Sequence, residues 1–222
     1  MDYRHEWKHE ISRMDLLVIR QRLRAVARPD PHAMDGKYEI RSLYFDTPSD
    51  QALREKLDGV SCREKFRIRY YNGDTSLIHL EKKSKIAGLC SKQSAILSAA
   101  EAQAIVDGRL TWMVTSPQPL VQELYSKMQS RQLRPKTIVD YTREPFVYDP
   151  GNVRVTLDYD IRTGLHCTDF LKPCVTIPAG SAPILLEVKW DTFLPSIIRD
   201  AIQLEGCRSE AFSKYAQCRI YG

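Results

Sequence analysis

Basic residues stand at every second position of Arg63-Glu64-Lys65-Phe66-Arg67-Ile68-Arg69-Tyr70, with Phe66, Ile68 and Tyr70 between them. Successive side chains of a strand point to opposite faces, so this segment reads as a strand with one cationic and one apolar face. The same alternation recurs along the chain. Arg4, Glu6 and Lys8 share a face, as do Glu81 and Lys83; Arg154, Thr156, Asp158 and Asp160 oppose Val153, Val155, Leu157 and Tyr159. Glu187 and Lys189, with Leu185, oppose Leu186, Val188 and Trp190. Arg binds phosphate through its planar fork and Lys as a point charge, while carboxylates among them serve as ion-pair partners or as ligands of a hard divalent cation. The chemistry such faces could do is binding and transfer of phosphoryl groups.

Strands must position these residues. Two-residue periodicity predicts strands at Tyr3–Ile11, Tyr38–Asp46, Arg63–Tyr71, Ser76–Lys83, Lys136–Tyr148, Asn152–Arg162 and Ile184–Trp190, with weaker signals at Leu89–Leu97 and Pro173–Ile177. Ser12 with Asp15, and Ser98 with Glu101, match the capping-box spacing that starts a helix. Further amphipathic helices are predicted at Leu120–Arg131 and Pro195–Leu204, and turns at Asp35-Gly36, Asn72-Gly73 and Asp149-Pro150-Gly151.

Taken one strand at a time, a charged face is simply the wet side of a sheet. The helices alter that reading, because each must bury its apolar stripe and the apolar face of the sheet is the continuous surface on offer. If helices cover that face from outside, the charged face points inward. An inward face in which cations outnumber carboxylates requires an anion to complete it, and a flexible oligophosphate suits an elongated cavity.

At 222 residues, 43% hydrophobic and 27% charged, the chain has the composition of one ordinary globular domain, 1–222. Its net charge of +5 is too modest to argue for nucleic acid, and the tyrosines alternate between faces instead of forming one stacking platform. No apolar run suggests a secretory signal or a membrane span. The six cysteines are scattered without a C-x-x-C, which reads as reduced and cytoplasmic.

In order, the chain carries R-H-E-W-K-H-E-I (Arg4–Ile11), S-L-Y-F-D-T (Ser42–Thr47), K-F-R-I-R-Y-Y (Lys65–Tyr71), L-E-K-K-S-K (Leu80–Lys85) and S-K (Ser91, Lys92). D-Y-T-R-E-P-F (Asp140–Phe146), V-R-V-T-L-D-Y-D (Val153–Asp160), L-E-V-K (Leu186–Lys189) and F-S-K-Y (Phe212–Tyr215) follow. In this combination the chain resembles the VTC (vacuolar transporter chaperone) polyphosphate-polymerase domain, within the triphosphate tunnel metalloenzyme (CYTH-like) group, from about Tyr3 to about Arg219. The resemblance implies an α+β fold: a closed antiparallel β-barrel tunnel of about eight strands with amphipathic helices packed outside.

It also implies roles. Phosphate-binding positions fall on Lys8, Arg67, Arg69, Lys83, Lys92, Arg143, Arg154, Lys189 and Lys214. The metal-binding carboxylate falls on Glu187, with Glu6, Glu81 and Asp158 as supporting carboxylates or ion-pair partners, and Glu187, Lys214, Arg67 and Arg69 carry the catalytic roles. The implied reaction passes the γ-phosphoryl group of ATP to the end of a growing polyphosphate with Mn²⁺ or Mg²⁺ as cofactor. Hydrolytic members of the wider group begin with E-x-E-x-K, whereas the first of those positions here is Arg4. Hydrolysis of tripolyphosphate or a nucleoside triphosphate, and polyphosphate binding without turnover, remain the alternatives. Nothing reads as an adenine pocket, which predicts tolerance of GTP. His5-Glu6-Trp7-Lys8-His9 matches H-E-x-x-H, but it falls in a predicted strand, where the histidines cannot lie one helical turn apart.

Overall fold

The computed structural model describes residues 5–86, 89–204 and 212–221; Tyr3, Arg4 and Cys207 lie outside the described residues. The chain runs β1 (His5–Ile11), α1 (Arg13–Val26), β2 (Arg28–Pro29), β3 (Tyr38–Asp46), α2 (Gln51–Leu57), β4 (Arg63–Tyr71), β5 (Asp74–Ile86) and β6 (Leu89–Leu97). It continues with α3 (Ala99–Val106), α4 (Pro119–Ser130), β7 (Arg134–Tyr148), β8 (Val153–Thr163), β9 (Ile177–Pro178), β10 (Ile184–Trp190), α5 (Ser196–Ile202) and α6 (Lys214–Ile220).

Every pairing between these strands is antiparallel, in one curled sheet ordered β1-β10-β8-β7-β3-β4-β5-β6, with β2 added to β7 and β9 to β8. The expected closed barrel is therefore corrected: among the described residues β1 and β6 are edges that do not pair with each other, and the sheet is an open half-barrel. The charges on the concave face give a reason. Closing the ladder to the ~4.8 Å strand spacing would press Lys8 of β1 toward the cations of β5 and β6, Lys83 and Lys92. Among the described residues a side-chain ion pair crosses the gap, Lys83 Nζ to Glu6 at 3.8 Å.

The outer face is apolar and covered by helices, as the amphipathic pattern requires. Leu43, Phe66, Ile68 and Leu80 pack with Ala102 and Ile105 of α3 and Val121 and Leu124 of α4. Val155, Leu157, Leu186 and Val188 pack with Ile19 and Leu23 of α1 and Ile198 of α5. Both expected capping boxes form, at Ser12–Asp15 and Ser98–Glu101. Asn72 and Gly73 have φ of 51° and 71°, the conformation that lets a two-residue turn join β4 to β5.

A third apolar cluster lies on the concave side. Tyr44, Tyr141, Ile161 and Leu185 bury Tyr215 and Cys218 of α6, which plugs part of the trough. One inward-facing expectation fails here. The pairing of β7 with β8 slips by a residue around Asp140 to Thr142, Asp160 takes φ 51°, and its side chain turns outward while Ile161 takes the inward place. The weak strand signal at Pro173–Ile177 reduces to the two residues of β9.

Candidate functional site

β4 and β5 are in register so that Arg67 lies opposite Glu81, and Lys83 opposite Lys65 and Lys92. Glu81, 4% exposed, is the hub of this side. Its carboxylate meets Arg67 at 2.7 Å, Arg69 at 3.4 Å and Lys92 at 2.5 Å. Burial favours the neutral acid, yet Arg67, Arg69 and Lys92 outweigh it and hold the group well below the usual carboxylate range. Arg67 also donates to the Tyr44 hydroxyl at 2.7 Å, and Arg69 to the Tyr71 and Tyr141 hydroxyls at 3.1 and 3.3 Å.

A second hub sits across the trough. Arg143 grips Asp158 through two bonds of 2.7 Å, and Lys214 of α6 adds a third at 2.6 Å. Asp158 is inaccessible to solvent, and Arg143, then Lys214, keep it ionised against the cost of burial. The Lys214 ammonium stands 4.7 Å above the ring of Tyr141, and the Arg143 guanidinium 5.6 Å from the same ring.

The third hub spans β1 and β10, where Lys8 pairs in register with Glu187 and Glu6 with Lys189. Lys189 Nζ lies 2.5 Å from Glu187 and 3.5 Å from Glu6; Lys8 is bonded to Glu6, and Arg143 approaches Glu187 to 4.0 Å. Despite burial, Lys189, Lys8, Arg143 and Lys214 hold Glu187 well below the ordinary carboxylate value. Directly opposite Glu187 on β8, the buried Thr156 hydroxyl has no hydrogen-bond partner among the described residues. Arg154 lies at the margin, 3.3 Å from Asp30.

Every residue expected to bind phosphate or metal thus reaches this concave face or its rim. All three carboxylates expected to support a metal, Glu6, Glu81 and Asp158, are engaged in ion pairs. Among the described residues no group of three or more His, Cys, Asp and Glu side chains is placed to hold a metal ion. His5 and His9 lie on strand β1 and not on a helix, with His5 stacked on Trp190 at 5.2 Å.

Three features are not assigned by the motifs. Lys65 shares the face of Arg67 and Arg69 and lines a cavity of about 430 Å³ together with Lys8, Lys83, Lys85 and Lys56. Tyr44 and Tyr141 provide the ring surfaces under the guanidinium and ammonium groups. Asp46 accepts from the backbone N–H groups of Ala52 and Leu53 in α2 and from the Tyr215 hydroxyl in α6, tying both helices to β3. Lys65 and Tyr141 were findable in the sequence, since each is two residues from an Arg on the same strand face. The contact of Asp46 with Tyr215 spans 169 residues and leaves no local signal.

No described helix is long and apolar enough to cross a membrane. No curated protein gives a significant match. Among solved structures, a Bacillus halodurans protein named as a candidate adenylate cyclase is similar at TM-score 0.52 and 15% identity, over 85% of this chain and 80% of that one. PH1819 from Pyrococcus horikoshii matches at TM-score 0.44 and 15% identity, over 90% and 84% of the two chains. PH1012 from the same organism matches at 0.45 and 15%, over 91% and 85%. At such identity only the fold is shared, and only the first reaches a level that supports it. The sequence itself matches the VTC domain family over residues 3–221, almost its whole length. The chain belongs to the VTC domain family.

Proposed function

We propose that the trough is the site of a polyphosphate polymerase that uses ATP. The observation that carries this reading is the convergence of Arg67, Arg69, Lys92, Arg143, Lys189 and Lys214 on one face, beside a cavity of about 430 Å³, in a member of a polyphosphate-linked family. In the reaction, a terminal oxygen of the polyphosphate forms a bond to the γ-phosphorus of ATP. The bond to the bridging oxygen breaks, and its electron pair leaves with ADP. Little covalent help is needed; fixed positive charge and alignment supply most of the acceleration.

The roles follow from where each charge is held. Arg143 and Lys214, locked on Asp158, cannot swing away and so present pre-aligned donors to an equatorial phosphoryl oxygen. Arg67 and Arg69, shared between Glu81 and tyrosine hydroxyls, serve the acceptor chain. Lys8, Lys83, Lys92, Lys189 and Arg154 guide the remaining charge. A Mg²⁺ or Mn²⁺ ion would suit an oxygen-only site of Glu187, with the Thr156 hydroxyl opposite and Glu6 linked to it through Lys189. When bound, such an ion neutralises phosphate charge.

One observation favours a second reading, binding without turnover: Glu187 is already engaged by Lys189 at 2.5 Å. The test is incubation of the protein with ATP and Mg²⁺ or Mn²⁺, resolving polyphosphate, ADP and orthophosphate. Polyphosphate formed in step with ADP, and lost in Glu187→Gln, supports the polymerase. Orthophosphate without polymer makes the protein a hydrolase, and binding of tripolyphosphate without any product makes it a binding module.

A further inference from the structure

Lys65 differs from every other cation assigned to the trough. Lys8, Arg67, Arg69, Lys83, Lys92, Arg143, Arg154, Lys189 and Lys214 each lie within 4.0 Å of a carboxylate oxygen. Among the described residues no carboxylate comes that close to Lys65. Among the described residues its Nζ meets the Ser213 hydroxyl at 3.4 Å and, at 5.8 Å, the ring of Tyr44.

Cations face it from β1, β4, β5 and α6. Arg67 stands next along β4, Lys83 opposite on β5, Lys8 on β1 and Lys214 at the start of α6. Lys56 of α2 lines the same cavity; the carboxylates there, Glu6 and Glu64, are taken by Lys8 and Lys127. Tyr44 of β3, Tyr215 of α6, Arg63 of β4, Lys85 of β5 and Cys90 of β6 also face the amine's surroundings, Asp46, Glu55 and Glu64 line a smaller recess that Lys65 borders, and the Tyr215 hydroxyl is committed to Asp46. Burial, then Arg67, Lys83, Lys8 and Lys214, push the Lys65 amine well below the ordinary lysine value. A phosphoryl group entering the cavity reverses the balance, because it places negative charge beside an amine that no described carboxylate pairs with.

We propose that Lys65 is the proton-coupled anchor of the trough: its amine gains a proton as a phosphoryl group enters beside it, so polyanion binding and proton uptake are one event. The inference rests on the reading of the trough as a polyphosphate site and adds a dependence that the paired cations do not have. A cation already neutralised by a carboxylate changes its proton content little when ligand arrives. Lys65 has that change available, and the affinity of the site becomes a function of pH.

Calorimetric titration of the full chain with tripolyphosphate, at mildly alkaline pH in two buffers of different ionisation enthalpy, counts the protons exchanged. The ligand's own protonation is common to all variants and cancels in the difference. Wild type is expected to take up more protons than Lys65→Arg, whose guanidinium stays charged, with about one proton as the upper limit, and to lose affinity with rising pH by up to about tenfold per unit more steeply. Lys65→Gln, with nothing to protonate, should match Lys65→Arg in proton count while binding more weakly. Equal proton counts in wild type and both variants overturn the role of Lys65 but leave polyphosphate binding standing. Failure of wild type to bind tripolyphosphate at any pH overturns the polyphosphate reading and this inference with it.

Discussion

Asp158 is where the residue scale is most exposed to test, because a carboxylate without solvent contact holds both Arg143 and Lys214. Removing one member of a buried ion cluster leaves the others uncompensated, so Asp158→Asn should lower unfolding stability by roughly 3–5 kcal/mol in denaturant titrations. Tripolyphosphate should restore more of that loss than it adds to wild type, since it returns negative charge to the same cations. Glu81, Glu187 and Asp158 all sit below ordinary carboxylate values in the folded chain. The unfolded chain therefore binds protons first as pH falls, so the stability they contribute is full above the ordinary carboxylate range and drains away through their lowered values. A melting temperature that falls steeply below about pH 4, and less steeply in Glu81→Gln, is the expected profile. The residue-level pattern of odd and even positions put Arg67, Arg69 and Glu187 on the charged face of the sheet, where they lie. It misplaced Asp160, because a one-residue slip in β8 is a matter of pairing with β7 that no single-strand pattern contains.

At the scale of elements, helices with a capping box or an apolar stripe, α1, α3, α4 and α5, were readable, and α2 and α6 were not. Ser12 and Ser98 cap α1 and α3 with the reciprocal bonds that the S-x-x-D and S-x-x-E spacings predict. Ser98→Ala should cost about 1 kcal/mol in thermal unfolding. By contrast α2 and α6 are each seven residues long, below the length at which propensity alone stabilises a helix, and they exist because tertiary contacts hold them. Asp46 is the common tether, with a 2.6 Å bond from Tyr215 and bonds from the first turn of α2. Asp46→Asn should weaken the hold on α6 by about 1.5–3 kcal/mol, the range for hydrogen bonds to a charged group. Since α6 carries Lys214, tripolyphosphate affinity measured by calorimetry should fall as well, with Tyr215→Phe falling less.

For the molecule as a whole, the sequence indicated correctly which face of the sheet points inward, because α1, α3, α4 and α5 needed an apolar surface and found it outside. It overstated closure, because whether the last strand meets the first depends on what the edges carry across the gap. The concave face depends on many partly screened charges, so its affinity for tripolyphosphate should decline markedly as sodium chloride is raised across the Debye-screening range, a dependence that calorimetry reads directly.

An open half-barrel also differs from a ring in the way it holds a long molecule. A thread passed through a ring is linked to it and escapes only at an end, whereas a cord laid in a gutter lifts out anywhere along its length. Among the described residues β1 and β6 are unpaired with each other, and a side-chain contact from Lys83 of β5 to Glu6 of β1 reaches across the gap without a hydrogen-bonded seam. A guest without free termini, even a cyclic one, is topologically admissible here, and a chain laid along the concave face is held by adhesion along its length.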